Sequence, residues 1–309
     1  MIAPGQVDGP ATDSDICPRR ALDAPRTIAY MTQHDVEHPH GIHVVHDGPR
    51  QAPPLVLIHG SGAASASWGL MVPALAAHHH VIRVDLPGCG RSAPAPSYDV
   101  VAQANRVAAV LDDLGVRRAA VAGHSSGGYV GTALAEQRPD LVAALALIST
   151  GPSLDVLLPQ PVVLRVLLGP LLGPLIWSIR PDGWIRRGIG ATAARPVDIP
   201  DEMVAEVRGL TYRTMRTVLR HNAEYIAERG VPERIAALEV PVLVIFGAAD
   251  PRWDPASVHR YDAVPNARVE LLPGVGHMSV LEAPATTGEL LLDFAAASSG
   301  GTPPVTPQA

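Results

Sequence analysis

The chain has 309 residues, 24 basic against 30 acidic side chains, a formal net charge of -6 and 47% hydrophobic residues. Such a length and apolar fraction support one large α/β domain, or one domain carrying an insertion, and exclude a disordered chain. No concentrated basic face is readable, so nucleic acid is not an expected partner; every basic residue is arginine, which excludes Schiff-base chemistry and a phosphate-loop lysine.

Residues 1–26 are rich in Pro, Asp and Ala without periodicity and read as a disordered tail, as do residues 298–309. Asp8, Asp13 and Asp15 stand where a secretory signal would carry basic and apolar regions, and Cys17 and Cys89 lack zinc or disulfide spacing. A cytoplasmic protein is expected. His34, His38, His40, His43 and His46, with His78, His79 and His80 further on, invite a metal reading. Side chains alternate in direction along a strand and no cysteine accompanies them, so no metal is expected there.

Short apolar runs bounded by turn residues predict buried strands at His43–Asp47, Leu55–His59, Val81–Asp85, Ala119–Gly123, Leu145–Ser149, Val242–Gly247 and Val269–Leu272. Between several of them the spacing turns helical, as at Val100–Leu114 and Gly128–Gln137. Strands alternating with helices imply an α/β fold with a mostly parallel sheet. After Ser149 the rhythm breaks, and helical material such as Glu202–Glu228 fills the interval before Val242, which predicts a helical cap over 151–235 inserted into a core of 27–150 and 236–297. Leu154–Ile179 is apolar, yet Pro159, Pro161, Arg165, Pro170 and Pro174 interrupt it, so no transmembrane span is expected.

Gly123-His124-Ser125-Ser126-Gly127 follows one predicted strand and opens a helix, which sets Ser125 on a sharp turn at a helix N-terminus. The spacing alone is moderate evidence, and three further segments support it. Leu55–His59 ends in Gly60-Ser61-Gly62, whose backbone amides suit an oxyanion; the amides of Ser61 and Ser126 are the expected oxyanion hole. Asp250 lies just past the strand Val242–Gly247, where an acid that orients a histidine belongs. Asp254 is the competing carboxylate, with capping of the helix from Pro255 as its alternative role. His277 follows the strand Val269–Leu272 and completes the chain order Ser, Asp, His.

The segments His59–Gly62, Asp85-Leu86-Pro87-Gly88-Cys89-Gly90-Arg91-Ser92, Gly123–Gly128, Asp250 and Gly276-His277 resemble the α/β-hydrolase family. That resemblance implies an eight-stranded mostly parallel sheet flanked by helices, with a cap between strands six and seven. A serine at the elbow sets the chain apart from the dehalogenase and epoxide hydrolase members, which use aspartate. Members that cleave carbon–carbon bonds of dienone acids often carry tryptophan after the histidine, where Met278 stands here.

The expectation is a serine hydrolase of carboxylesterase type, with Ser125 as nucleophile, His277 as general base and Asp250 as orienting acid, needing no cofactor or metal. Its substrate would be a small, apolar ester, because Leu157, Leu158, Val162, Val163, Leu171 and Leu172 enrich the insertion in apolar side chains. Those residues could equally pack the cap onto the core, and Arg186 and Arg187 could bind a substrate carboxylate or face solvent. Carbon–carbon hydrolysis, perhydrolysis or cyclisation on the same triad, and a low-turnover ligand-binding receptor, remain the alternatives.

Overall fold

Strands buried on both faces read as near-continuous apolar runs, and such runs form the centre of this sheet. The computed structural model describes Met1, residues 34–37 and residues 40–299. The strands are β1 (His34–Glu37), β2 (His43–Asp47), β3 (Pro54–Ile58), β4 (His80–Asp85), β5 (Ala119–His124), β6 (Val142–Ile148), β7 (Val242–Gly247) and β8 (Ala267–Leu272). They form one eight-stranded sheet in the order β1-β2-β4-β3-β5-β6-β7-β8. The β1–β2 and β2–β4 pairs are antiparallel and all others parallel.

The helices are α1 (Val72–Ala76), α2 (Val100–Asp113), α3 (Ser126–Gln137), α4 (Val162–Leu167), α5 (Gly173–Ile179), α6 (Asp182–Gly190), α7 (Asp201–Gly209), α8 (Tyr212–Glu228), α9 (Val231–Ile235), α10 (Ser279–Glu282) and α11 (Pro284–Ser299). Because side chains alternate across a strand, each central strand feeds two cores. Val56, Ile58, Val121, Leu145, Val244 and Phe246 pack on one face with α2 and α3. Leu55, Leu57, Ala122, Ala146, Leu243 and Ile245 pack on the other with Trp68, Leu75 and α11.

Helices α4–α9 fill the stretch between β6 and β7, where the insertion is expected. The material expected as Glu202–Glu228 is two helices: α7 ends at Gly209, and Thr211 starts α8 by accepting the Thr214 amide. A Thr side chain in extended backbone competes for that amide and makes a start signal stronger than the local helical spacing. The expected tail at 1–26 lies, apart from Met1, outside the described residues; that expected from 298 begins inside α11, which runs to Ser299. Among the described residues, no helix is long and apolar enough to cross a membrane.

Candidate active site

The carboxyl ends of β5, β7 and β8 deliver three polar side chains to one place. Ser125 follows β5 directly and has φ 52° and ψ -121°, a left-handed conformation costly for any residue with a Cβ. The turn closes only because its neighbours are small. A Cβ on Gly123 would lie 2.4 Å from the Gly127 carbonyl carbon, and one on Gly127 would lie 2.2 Å from Ile58 O. The Ser125 amide donates to Ile148 O at 2.7 Å and Thr150 Oγ1 donates to Ser125 O at 3.0 Å, which pins the strained residue to the end of β6.

Ser125 Oγ lies 3.0 Å from His277 Nε2, and His277 Nδ1 lies 2.8 Å from Asp250 Oδ2. The ring therefore donates from Nδ1 to the carboxylate and keeps Nε2 free to accept the Ser125 hydroxyl. Asp250 Oδ1 takes the backbone amides of Arg252 (2.7 Å) and Trp253 (3.2 Å), so both its oxygens are engaged and the carboxylate is fixed. Asp254 instead accepts the Ala256 amide at 3.0 Å, capping the turn Pro255–Tyr261.

Ser61 and Ser126 face each other beside the nucleophile, their hydroxyl oxygens 2.8 Å apart. The Ser126 amide opens α3 and, as a first-turn donor, has no intrahelical acceptor. Both residues line a cavity of about 190 Å³. Its other polar walls are Ser125, Tyr129, Asn222 and Arg252, and its apolar walls are Leu154, Leu157, Leu219, Ala223, Ile226 and Trp253.

The apolar stretch Leu154–Ile179, open to a lining or a packing role, gives the cavity Leu154 and Leu157. Leu157 reaches the cavity, whereas Val162, Val163, Leu171, Leu172 and Leu175 are exposed, with Leu171 at 91%. Arg186 pairs with Asp201 and donates to Ile199 O, away from the cavity. Burial and the nearby Asp85 push the Cys89 thiol up to about 12, so it is no nucleophile at neutral pH. Of the histidines considered for metal, His38 and the His34 side chain lie outside the described residues; His43 Nδ1 lies 2.9 Å from Asp85, and His46 stacks on His80 with its Nδ1 2.9 Å from His80 Nε2. Among the described residues, no group of three His, Cys, Asp or Glu could hold an ion.

Three supporting residues escape a reading of the sequence. His124 donates from Nε2 to the His277 carbonyl at 3.0 Å, and burial followed by the neighbouring His277 lowers it to about 4, so it is neutral at physiological pH. Glu282 gathers the loop bearing His277 by accepting the amides of Ala194 (2.9 Å), Gly276 (2.9 Å) and Met278 (3.1 Å). Asn222 of α8 donates to Ser61 Oγ. Only His124 left a trace, as the variable residue before the serine; the other two sit in segments whose contacts depend on tertiary folding.

A serine on a strained strand-to-helix turn, beneath a histidine held by a buried carboxylate at the edge of a mostly parallel sheet, defines a hydrolase of the α/β class. The model of the Alpha/beta hydrolase family matches residues 55–289, and the chain belongs to that family. It is 31% identical over 256 residues to the RutD protein of Pseudomonas savastanoi pv. phaseolicola, assigned to carbamate hydrolysis, covering 79% of this chain and 93% of that one. The solved structure of carboxylesterase CesB from Bacillus subtilis superposes with a TM-score of 0.68 at 21% identity, covering 86% of this chain and 92% of CesB. That of the N-acyl homoserine lactonase AidH gives 0.72 at 21% identity, over 88% and 98% of the two chains. At such identities the two structures share the fold.

Proposed function

We propose that the protein is a serine hydrolase that cleaves a carboxylic ester, or a related acyl bond, through an acyl-enzyme on Ser125. The observation that carries this reading is the continuous Ser125–His277–Asp250 hydrogen-bonded array, opening onto the cavity. In the proposed cycle Ser125 Oγ attacks the substrate carbonyl while His277 Nε2 takes its proton. The tetrahedral oxygen is held by the amides of Ser61 and Ser126, where each such donor is typically worth about 3 kcal/mol of barrier. Collapse expels the alcohol with the proton from His277, and a water activated by the same ring releases the acid. Asp250 stays ionised and holds the ring tautomer.

In this reading the insertion α4–α9 is a cap that supplies Asn222, Leu219 and Ile226 to the substrate cavity, and the protein works in the cytoplasm. The lactonase and carbamate hydrolase likenesses support an acyl bond as the target without narrowing it to an ester.

The test is hydrolysis of p-nitrophenyl esters of increasing acyl length by wild type and Ser125→Ala, alongside labelling with a fluorophosphonate read by intact mass. Turnover and one covalent adduct in the wild type, both absent in the variant, are expected. A wild type inert towards every ester, lactone and carbamate offered, and unlabelled by the probe, overturns the reading.

A further inference from the structure

We propose that Arg252 and Tyr129 form an anion subsite in the cavity, and that the preferred substrate is a short ester whose acyl chain ends in a carboxylate. The inference rests on the serine hydrolase reading and narrows its substrate.

Arg252 lines the cavity, and none of the residues lining it is acidic. Three other partly or fully buried arginines pair with a carboxylate, Arg83 with Asp47, Arg234 with Glu136 and Arg138 with Asp112, and Arg180 is satisfied by backbone carbonyls. Among the described residues no carboxylate lies within ion-pair distance of the Arg252 guanidinium, which stands 5.9 Å from the centroid of the Trp253 ring. The backbone of Arg252 is tied on both sides, its amide to Asp250 Oδ1 at 2.7 Å and its carbonyl to the Leu158 amide at 2.9 Å. The cation therefore springs from a fixed point two residues beyond the carboxylate that holds His277.

Tyr129 lies one helical turn after Ser125 and is 3% exposed. Its hydroxyl has no partner among the described residues, although the neighbouring Tyr225, with its ring 6.1 Å away, donates to Glu136 at 3.1 Å. Tyr129 lines the cavity, so its hydroxyl is open to a ligand or water there. The Arg252 charge acts on this same phenol, against the burial that pushes it up. A phenol and an arginine thus line one acidless cavity whose apolar wall includes Leu154, Leu157, Leu219 and Ile226. A carboxylate satisfies both donors, the guanidinium by a fork of two hydrogen bonds, and the methylenes between carboxylate and ester meet the apolar wall.

The experiment compares matched pairs, methyl pentanoate with monomethyl glutarate and methyl hexanoate with monomethyl adipate, on wild type, Arg252→Gln, Arg252→Lys and Tyr129→Phe. The wild type is expected to favour the half-esters in kcat/KM by on the order of tenfold, with the advantage shrinking as salt is raised. Arg252→Gln is expected to lose at least about tenfold on the half-esters and a distinctly smaller factor on the neutral esters; Arg252→Lys recovers part of that loss. Equal losses on both members of a pair, or a wild-type preference for the neutral ester, overturn the subsite. Calorimetric binding of glutarate and adipate to wild type and Arg252→Gln separates this inference from the reading beneath it. Dicarboxylate binding that needs Arg252 supports the subsite even if no ester is cleaved, and binding that is absent or indifferent to Arg252 overturns it even if Ser125 is an active nucleophile.

Discussion

Asn222 donates its side-chain amide to Ser61 Oγ over 3.0 Å, and Ser61 Oγ lies 2.8 Å from Ser126 Oγ. Helix α8 thereby holds the loop that follows β3, and links it to the first residue after the elbow. Met215, on the same helix, sits 3.4 Å from where a Cβ on Gly62 would be, so α8 meets this loop at two points. In the proposed mechanism Asn222 is a positioning residue that acts through Ser61.

Removing this donor with Asn222→Ala is expected to lower kcat by about tenfold, the worth of one ordinary hydrogen bond, with a smaller effect on KM. Ser61→Ala keeps the backbone amide and removes only the hydroxyl that Asn222 holds. If the two act as one unit, the double variant is no slower than the worse single one. Steady-state kinetics on all four proteins decides the matter, and fully additive losses refute the coupling.

Glu282 is 6% exposed and binds amides on both sides of His277, as well as that of Ala194 in the insertion. Glu282→Gln turns one acceptor oxygen into a donor aimed at backbone N–H groups. Charge-assisted bonds of this kind contribute about 1.5–3 kcal/mol each, so a loss of about 2–4 kcal/mol in urea unfolding is expected. A fall in kcat should accompany it in the folded variant, because the loop sets the imidazole. A variant as stable and as fast as wild type removes the clamp from the account.

The strand run, the elbow and the chain order Ser125, Asp250, His277 were legible because each is written in contiguous residues: an apolar run, glycines two positions either side of a serine, a carboxylate just past a strand. What escaped depends on segments meeting in space. Strand β1, His-Asp-Val-Glu, carries almost no apolar signal and is defined by its antiparallel partner β2. Asn222 and Glu282 are unremarkable polar residues in helical stretches until Ser61 and Gly276 come within reach. Apolar content could not choose for the same reason: Val162 and Leu171 suit lining or packing alike by composition and are exposed in the fold, while Tyr129 and Arg252 supply polar walls.

Two carboxylates near the loop after β3 should give opposite pH dependences. Burial raises Glu206 of α7 to about 7, with Asp85 adding to the rise and the Ala66 amide, Arg83 and His43 opposing it. The folded protein thus holds this proton above the ordinary 4.5, so its contribution is complete below about pH 4.5 and is lost as pH rises through 7. Asp85 is held down to about 2 by His43, His59 and the amides of Arg91 and Ser65, which outweigh its burial. Its contribution is present above 3.8 and is lost as pH falls through 2. Urea unfolding between pH 5 and 8 should therefore find Glu206→Gln gaining on wild type as pH rises; parallel curves remove Glu206 from the pH response.

Asp250 and Asp254 are four residues apart, yet their bonds predict different consequences when each is replaced. Asp250→Asn puts an amide against His277 Nδ1 and favours the tautomer that carries its proton on Nε2, where it can no longer accept from Ser125. In a serine protease the equivalent change costs about 10⁴-fold in kcat, and a loss on that order is expected here with the fold retained. Asp254 caps the turn from Pro255 through its bond to the Ala256 amide at 3.0 Å and does not touch the histidine. Asp254→Ala should therefore cost about 1 kcal/mol of stability and little activity. Ester turnover and urea midpoints on the two variants separate the roles: a larger catalytic loss at Asp254 than at Asp250 would transfer the orienting acid to the later residue and make the 2.8 Å contact of Asp250 with His277 a structural one.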